Sequence, residues 1–311
     1  MKFPQHSRDV LPWAKAQPWY AEMAATPQDA VWHAEGDVAT HVDMVMGEVL
    51  NLNTLEDRKY KLALAAVFHD IAKPRCTVIE GDRVRSPGHG RKGASMFVTE
   101  TFSELQPQMR RELYHLIRLH GKPPHALAGD YARELALWSQ DVDTSMLLDF
   151  VTCDLRGRTC ADKADLLLQI DLLRTAAQEI QCLTQPYVFA NAEAKIWANT
   201  DRLPHLEYAP HFPDTHTVYI LQGLPGSGKD YYYRKHLSNF PVISLDDLRT
   251  SAAAGDIEKN QIYAVAKEQA RQHLAAKQSF VFNATNLTRS LRLKWMNLFY
   301  QYGATDRKSV V

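Results

Sequence analysis

Net charge is what this chain most plainly lacks: its 36 Lys and Arg are matched by 36 Asp and Glu, so no overall field announces a polyanionic partner. A neutral total can still hide a local basic groove, so a nucleic-acid reading has to rest on motifs. Cysteine is scarce as well. Cys76, Cys153, Cys160 and Cys182 form no CxxC pair, which disfavours a zinc knuckle or a disulfide framework and fits reduced thiols in a cytoplasmic setting. No apolar run approaches the ~18 residues of a membrane span, and the opening MKFPQHSRDV is not a basic-then-apolar leader, so no membrane partner is expected. Internal repeats and low-complexity tracts are missing too. What remains is an ordinary apolar share, 45% over 311 residues, enough for about two domains that each bury a core.

Up to residue 203 the apolar positions recur every three or four residues. The segments are Val38–Leu50, Arg58–Ala72, Lys92–Leu105, Gln108–Leu119, Tyr131–Gln140, Thr144–Leu155 and a long stretch from Asp162 to about Thr200. This predicts an all-α domain over 1–203, interrupted by a small hairpin at Cys76–Arg85 around Gly81-Asp82. Pro204, Pro210 and Pro213 then punctuate a linker over 204–215, and 216–311 reads as an α/β domain.

Histidine and aspartate recur where these helices would converge. His69-Asp70 ends the apolar run LALAAVFHDIAKP, His41 lies on Val38–Leu50, and Asp154 lies near the end of MLLDFVTCDLRGR. Two imidazoles and two carboxylates form a mixed donor set that suits Mn, Fe, Co, Ni or Zn better than calcium. Any one of the four alone would more often be a helix cap, a salt-bridge partner or a satisfied core histidine. The combination favours a metal.

In the second half, QGLPGSGKD (222–230) matches the phosphate-cradling loop GxxxxGK[ST] except at its last position, where Asp230 replaces the magnesium-binding hydroxyl. The strand-like VYIL before it and the helical pattern after it supply the required context. Gly223, Pro225, Gly226, Ser227 and Gly228 would turn backbone N–H groups toward phosphate, and Lys229 would reach the β/γ oxygens of ATP or another NTP with its Mg. The plainer reading is a glycine-rich turn that binds nothing. Pro241–Ser244 reads as a strand running into LDDLR, and Phe280–Phe282 as another ending in NATN (283–286). Asp246, Asp247 and Arg249 would thus sit at the carboxyl edge of a parallel sheet, where such sheets place their chemistry. Asp246 or Asp247 could instead cap a helix starting at Leu248.

WHAEGDVATHVDMV, FHDIAKP, GHGRKGA, LIRLHGKP and CDLRGR resemble the HD-superfamily phosphohydrolases, particularly the HD domain attached to bacterial tRNA nucleotidyltransferases. The resemblance implies metal ligands at His41, His69, Asp70 and Asp154, with Lys73 placed to meet a phosphate. It implies a second metal or a phosphate contact at His89 and His120, and leaves His33 without a defined role. Arg158 reads either as a phosphoryl contact or as a helix C-terminal charge. The loop, the DD-x-R element and NATN resemble the kinase module of polynucleotide kinase-phosphatases, which implies Asp246 as general base on a 5′-OH and Arg249 as an acceptor-strand contact.

Together the two halves resemble the bacterial HD-Pnk RNA end-healing enzymes. That implies metal-dependent removal of 3′-phosphate and 2′,3′-cyclic phosphate, NTP-dependent 5′-OH phosphorylation, RNA or DNA ends as partners, and a partnering RNA ligase. The alternative is an HD hydrolase of free nucleotides with a regulatory NTP-binding module, and a third reading is a binding or scaffold protein. Only GATDRKSVV follows the segment Thr288–Tyr302, so about three strands, an uncovered sheet edge and no lid are expected, with the kinase half C-terminally truncated and weak. Robust transfer of γ-phosphate to a 5′-OH oligonucleotide would contradict that expectation.

Overall fold

The computed structural model describes residues 2–211, 216–255 and 258–310. The chain divides into two compact units, residues 1–189 and 190–311. This division falls ahead of the expected linker at 204–215, of which 212–215 lie outside the described residues.

The first unit is built from helices α1 (Ser7–Lys15), α2 (Pro18–Ala24), α3 (Val38–Leu50), α4 (Glu56–Phe68), α5 (His89–Glu100), α6 (Pro107–Leu119), α7 (Tyr131–Trp138), α8 (Thr144–Arg156) and α9 (Lys163–Glu179). A hairpin of β1 (Val78–Glu80) and β2 (Arg83–Arg85) pairs antiparallel about the Gly81-Asp82 turn. Helix α4 is the axis of the bundle. Every residue from Leu62 to Phe68 is buried, and a helix apolar all round has to be enclosed by its neighbours. Helices α1, α3, α5, α6 and α8 all pack on it, and Phe68 meets Trp13, Trp19 and Phe97 at ring separations of 6.0, 5.2 and 5.1 Å. Side-chain caps fix where α3 and α8 begin. Asp37 accepts from Thr40 N at 2.8 Å, and Asp143 accepts from the N–H groups of Ser145 and Met146.

Three features of this unit depart from the pattern read in the sequence. Helices α1 and α2 lie outside the helical segments read in the sequence, yet they supply Trp13 and Trp19 to the core, with Val10, Trp13 and Ala14 forming the buried face of α1. Helix α4 ends at Phe68 rather than Ala72, so His69 is its C-cap and Asp70 lies in the turn beyond. The long helix expected from Asp162 to Thr200 is two: α9 stops at Glu179 because Gln181 adopts a left-handed φ of 55° and Cys182 N–H returns to the Ala177 carbonyl, and α10 (Ala192–Asn199) belongs to the second unit.

Helices α3 and α8 approach closely at Gly157. A Cβ there would lie 2.7 Å from Val45 Cγ2 and 2.8 Å from Val45 N, while the backbone φ of −72° suits any residue. Gly157→Ala is therefore expected to cost about 1–3 kcal/mol by overpacking, read as a Tm several degrees lower in thermal denaturation. An unchanged Tm would mean that the two helices are free to separate.

In the second unit, β3 (Thr217–Gln222), β4 (Val242–Ser244), β5 (Phe280–Asn283) and β6 (Thr305–Val310) form one parallel sheet in the order β4-β5-β3-β6. Helices α11 (Lys229–His236), α12 (Leu245–Ala254), α13 (Ile262–Ala275) and α14 (Arg289–Gln301) connect the strands. Alternation along β3 and β5 divides the core by face. Val218, Ile220, Phe280 and Phe282 join Trp295 and Phe299 of α14, whereas Leu221 and Val281 join Leu237 and Phe240.

The expectation of about three strands is corrected by β6, which pairs with β3 from Thr217↔Thr305 to Gln222↔Val310 and is itself an edge strand of the sheet. The polar run Thr305–Lys308 hides this strand from a pattern reading. Because the chain crosses from β3 to β4 on one side and later to β6 on the other, the sequence after β3 opens at the point where strand order reverses. Among the described residues, no helix is long and apolar enough to cross a membrane.

Candidate metal centre and phosphate-binding loop

The central helix delivers His69 and Asp70 into the interior of the first unit, and its neighbours aim at the same point. His41 projects from α3 and Asp154 from α8, and all four side chains are buried. His41 Nε2 lies 3.0 Å from Asp154 Oδ1 and 3.3 Å from His69 Nε2, which is 3.1 Å from Asp70 Oδ2. The other Asp70 oxygen, Oδ1, faces a second pair: His89 Nε2 at 3.4 Å and His120 Nε2 at 3.9 Å, with those two nitrogens 3.2 Å apart. Asp70 thus stands between two imidazole pairs, and its buried Oδ1 accepts no hydrogen bond.

Local backbone explains why every ring presents Nε2. His69 and His120 are the C-caps of α4 and α6, and each Nδ1–H donates to the carbonyl three residues back, Ala66 at 2.8 Å and Ile117 at 2.7 Å. His89, at the start of α5, does the same to Ser86 at 2.7 Å. His41 Nδ1–H donates to Glu35 Oε1 at 3.1 Å and to the Gly157 carbonyl at 3.3 Å. Since a carbonyl can only accept, the proton is fixed on Nδ1 and the Nε2 lone pair is left to the interior, the arrangement by which outer contacts orient metal-binding histidines.

Facing lone pairs and carboxylates call for a cation. Burial alone would lower the His41 pKa, but Asp154 and Glu35 against its two nitrogens hold it above the ordinary value. Burial would raise Asp154 and Asp70, yet Arg158 and His41 hold Asp154, and His69 and Lys73 hold Asp70, well below the usual carboxylate range. Two imidazole nitrogens and two ionised carboxylate oxygens fit a divalent transition metal, and His41, His69 and Asp154 on one side and His69, Asp70 and His120 on the other have the proximity such an ion needs.

Surrounding side chains set the rest of the site. Lys73 Nζ, buried in a short 3-10 helix, donates to Asp70 Oδ2 at 2.8 Å and to Gln28 Oε1 at 2.5 Å. Arg158 grips both Asp154 oxygens, at 3.2 and 2.6 Å, and so orients that carboxylate instead of standing free as a helix C-terminal charge. His33, left without a role by the sequence, donates to Glu35 at 2.8 Å. Glu35 itself escaped the sequence reading. It also accepts from Thr159 N at 2.9 Å, and these bonds bring its pKa down against the effect of burial. Its only sequence signal is its position between His33 and His41.

The buried histidines make the fold sensitive to acid. Burial lowers His33 to about 4, lowers His120 to about 3 with help from His69 and His89, and lowers His89 against the pull of Asp70. From their ordinary 6.5 down to these values the unfolded chain binds protons that the folded chain does not, so stability falls as pH falls through that window. Asp70 and Asp154 extend the loss below 3.8. His41 acts oppositely, contributing stability that is present below 6.5 and lost as pH rises through its folded value. With chelator present, the Tm is expected to drop between about pH 6.5 and pH 4. A flat or rising Tm over that range would contradict these environments.

In the second unit the loop leaves β3 at Gln222 and enters α11 at Lys229. Gly226 and Gly228 hold φ of 76° and 94°, a region open to glycine at no steric cost, which lets the backbone turn into the helix. Lys229 is buried and folds back over the loop, its Nζ donating to the Gly223 and Leu224 carbonyls at 3.2 and 2.9 Å. Asp230, in the first turn of α11, accepts from Asn283 Nδ2 at 2.6 Å, and Asn283 Oδ1 is buried without a partner. The carboxylate in the hydroxyl position is thus tied to the end of β5. Ser227 and Pro225 are exposed on the loop.

One expectation here changes. Helix α12 starts at Leu245 and is capped by Ser244, whose Oγ accepts from Asp247 N at 3.2 Å, so neither Asp246 nor Asp247 is the cap. Exposed Asp246 instead pairs with Arg249 one turn on. In NATN, Asn283 meets Asp230, while Asn286 donates to the Leu221 carbonyl at 2.9 Å and, with Thr285 O accepting from Gly223 N, fastens the root of the loop to β5.

Residues 218–311 match the AAA domain family. The match does not extend to the helical unit. No curated protein and no solved structure matches the chain. The second unit is accordingly a P-loop kinase-like module, and with its parallel sheet and glycine-rich loop it belongs to nucleotide-binding chemistry.

Proposed function

We propose that the protein heals polynucleotide ends, with an HD-type phosphohydrolase in the helical unit and a 5′-OH kinase in the P-loop unit. The observation that supports this most is the convergence of His41, His69, Asp70 and Asp154 with each imidazole Nε2 turned inward. A divalent transition metal held by these residues supplies Lewis acidity, lowering the pKa of water and neutralising phosphoryl charge. Glu35 keeps the His41 lone pair inward, and Arg158 keeps Asp154 ionised and aimed. Lys73 lines the same centre and presents its ammonium to the oxygens of a 3′-phosphate or 2′,3′-cyclic phosphate, while the inward Nε2 lone pairs of His89 and His120 would hold a second cation.

In the P-loop unit, Gly223 to Gly228 and Lys229 hold the phosphates of an NTP, Asp230 and Asn283 hold its magnesium, and Asp246 takes the proton of the acceptor hydroxyl beside Arg249. The two reactions together convert the ends left by RNA cleavage into ends that an RNA ligase can join.

Phosphate release from a 3′-phosphorylated oligonucleotide and from a 3′-mononucleotide separates this reading from hydrolysis of free nucleotides. Metal-dependent release from the oligonucleotide and little from the mononucleotide is the expected result. The reverse preference would favour a nucleotide phosphohydrolase with a regulatory NTP-binding module, and no release from either would remove the hydrolase altogether.

A further inference from the structure

A cavity of about 520 Å³ opens on the metal-binding cluster at Lys73 and His89 and extends beyond it. Its inner wall is made by His33, Lys73 and His89, and its outer wall by Trp32, Val78 and Val84. One side therefore suits a phosphate and the other an apolar ring. Its volume is in the range of small-ligand sites and exceeds what a terminal phosphate alone would fill. Trp32 is the unusual member: it sits on the loop between α2 and α3 with 51% of its surface exposed, although other tryptophans of this unit, Trp13, Trp19 and Trp138, are buried in the core.

The wall that carries Trp32 is fixed in place. Asp29 accepts from Val31 N at 3.0 Å and, with its other oxygen, from Val84 N at 3.2 Å, so one carboxylate ties the Trp32 loop to the hairpin across the cavity. His33 N–H donates to Asp29 O at 2.8 Å, and Ala34 N–H donates to Thr159 O at 2.9 Å. The Asp29 pKa is lowered by the Val84 and Val31 N–H bonds, as expected of a carboxylate that stays ionised in this strut. Such bracing of an exposed indole makes a platform rather than a stray surface residue.

Resting on the hydrolase reading above, we infer that this cavity receives the terminal nucleoside of the polynucleotide, with its base stacked on Trp32 and its 3′-phosphate turned toward the Lys73 ammonium. An indole face stacks on any base, so recognition would demand a base without demanding a particular one. Removal of a terminal phosphate would then depend on a group that takes no part in the chemistry.

Fluorescence anisotropy with two labelled 3′-phosphorylated oligonucleotides, identical except that one ends in an abasic residue, tests this. The parent protein is expected to bind the complete end about tenfold more tightly than the abasic one, and Trp32→Ala to lose that preference while Trp32→Phe restores most of it. Metal content and circular dichroism of the variants check that the fold persists. Equal affinity of the parent protein for both ends, or a preference that survives in Trp32→Ala, would overturn the inference. Because anisotropy reads binding, a protein that prefers the complete end yet releases no phosphate would uphold the nucleoside site and refute the hydrolase, so the two failures are distinguishable.

Discussion

Asp70→Ala is expected to weaken divalent-metal binding by more than about 100-fold, beyond the usual cost of losing a residue one step removed from the ion, and to abolish phosphate release. The reason is its position. Its Oδ2 closes the His41, His69 and Asp154 group, and its Oδ1 is the carboxylate oxygen between His89 and His120. Lys73 would also be left buried without its counter-ion, a situation that costs about 3–5 kcal/mol when one partner of a buried pair is removed. Calorimetric metal titration, with circular dichroism as the check on folding, reads both effects. Parent-like affinity in a folded Asp70→Ala protein would mean that the cluster is a buried ion-pair network and not a metal centre.

Lys229→Ala is expected to raise the Kd for ATP by roughly 10- to 100-fold, the value of losing one or more charge-assisted bonds to phosphate. In the structure its ammonium is folded onto the Gly223 and Leu224 carbonyls, within the loop whose N–H groups would receive the phosphates. Binding would exchange these two carbonyls for phosphate oxygens, which needs only a small movement of the side chain. Arginine is a poor substitute, because a planar fork cannot take the place of a compact ammonium in this enclosed position. Titration with a fluorescent nucleotide would show the change, and a Kd within twofold of the parent would leave the loop without a phosphate-binding role.

The parts of the fold legible in the sequence were those with strong periodicity or a fixed motif. Helix α3 at Val38–Leu50 and the strand, loop and helix around Lys229 coincide with their patterns, because amphipathic spacing and glycine placement are local properties. What was not legible depends on distant contacts. Helices α1 and α2 are held by aromatic packing onto Phe68, and β6 is a polar segment made into a strand by β3. The break after α9 rests on one left-handed residue, Gln181.

The site shows the same division. His41, His69, Asp70 and Asp154 are legible from residue type and from their places on helices that would converge, whereas Glu35, Gln28 and the Trp32 platform only gain meaning when loops remote in sequence meet. Arg158 shows that a charge at a helix end can instead be committed to a carboxylate one turn away.

The most direct test of the central claim is anomalous diffraction from crystals soaked in manganese, recorded to locate the ion. The account predicts a peak among His41 Nε2, His69 Nε2, Asp70 Oδ2 and Asp154 Oδ1, with any second peak toward His89 and His120. Manganese bound elsewhere, with these four side chains keeping their present hydrogen bonds and ion pairs, would contradict it.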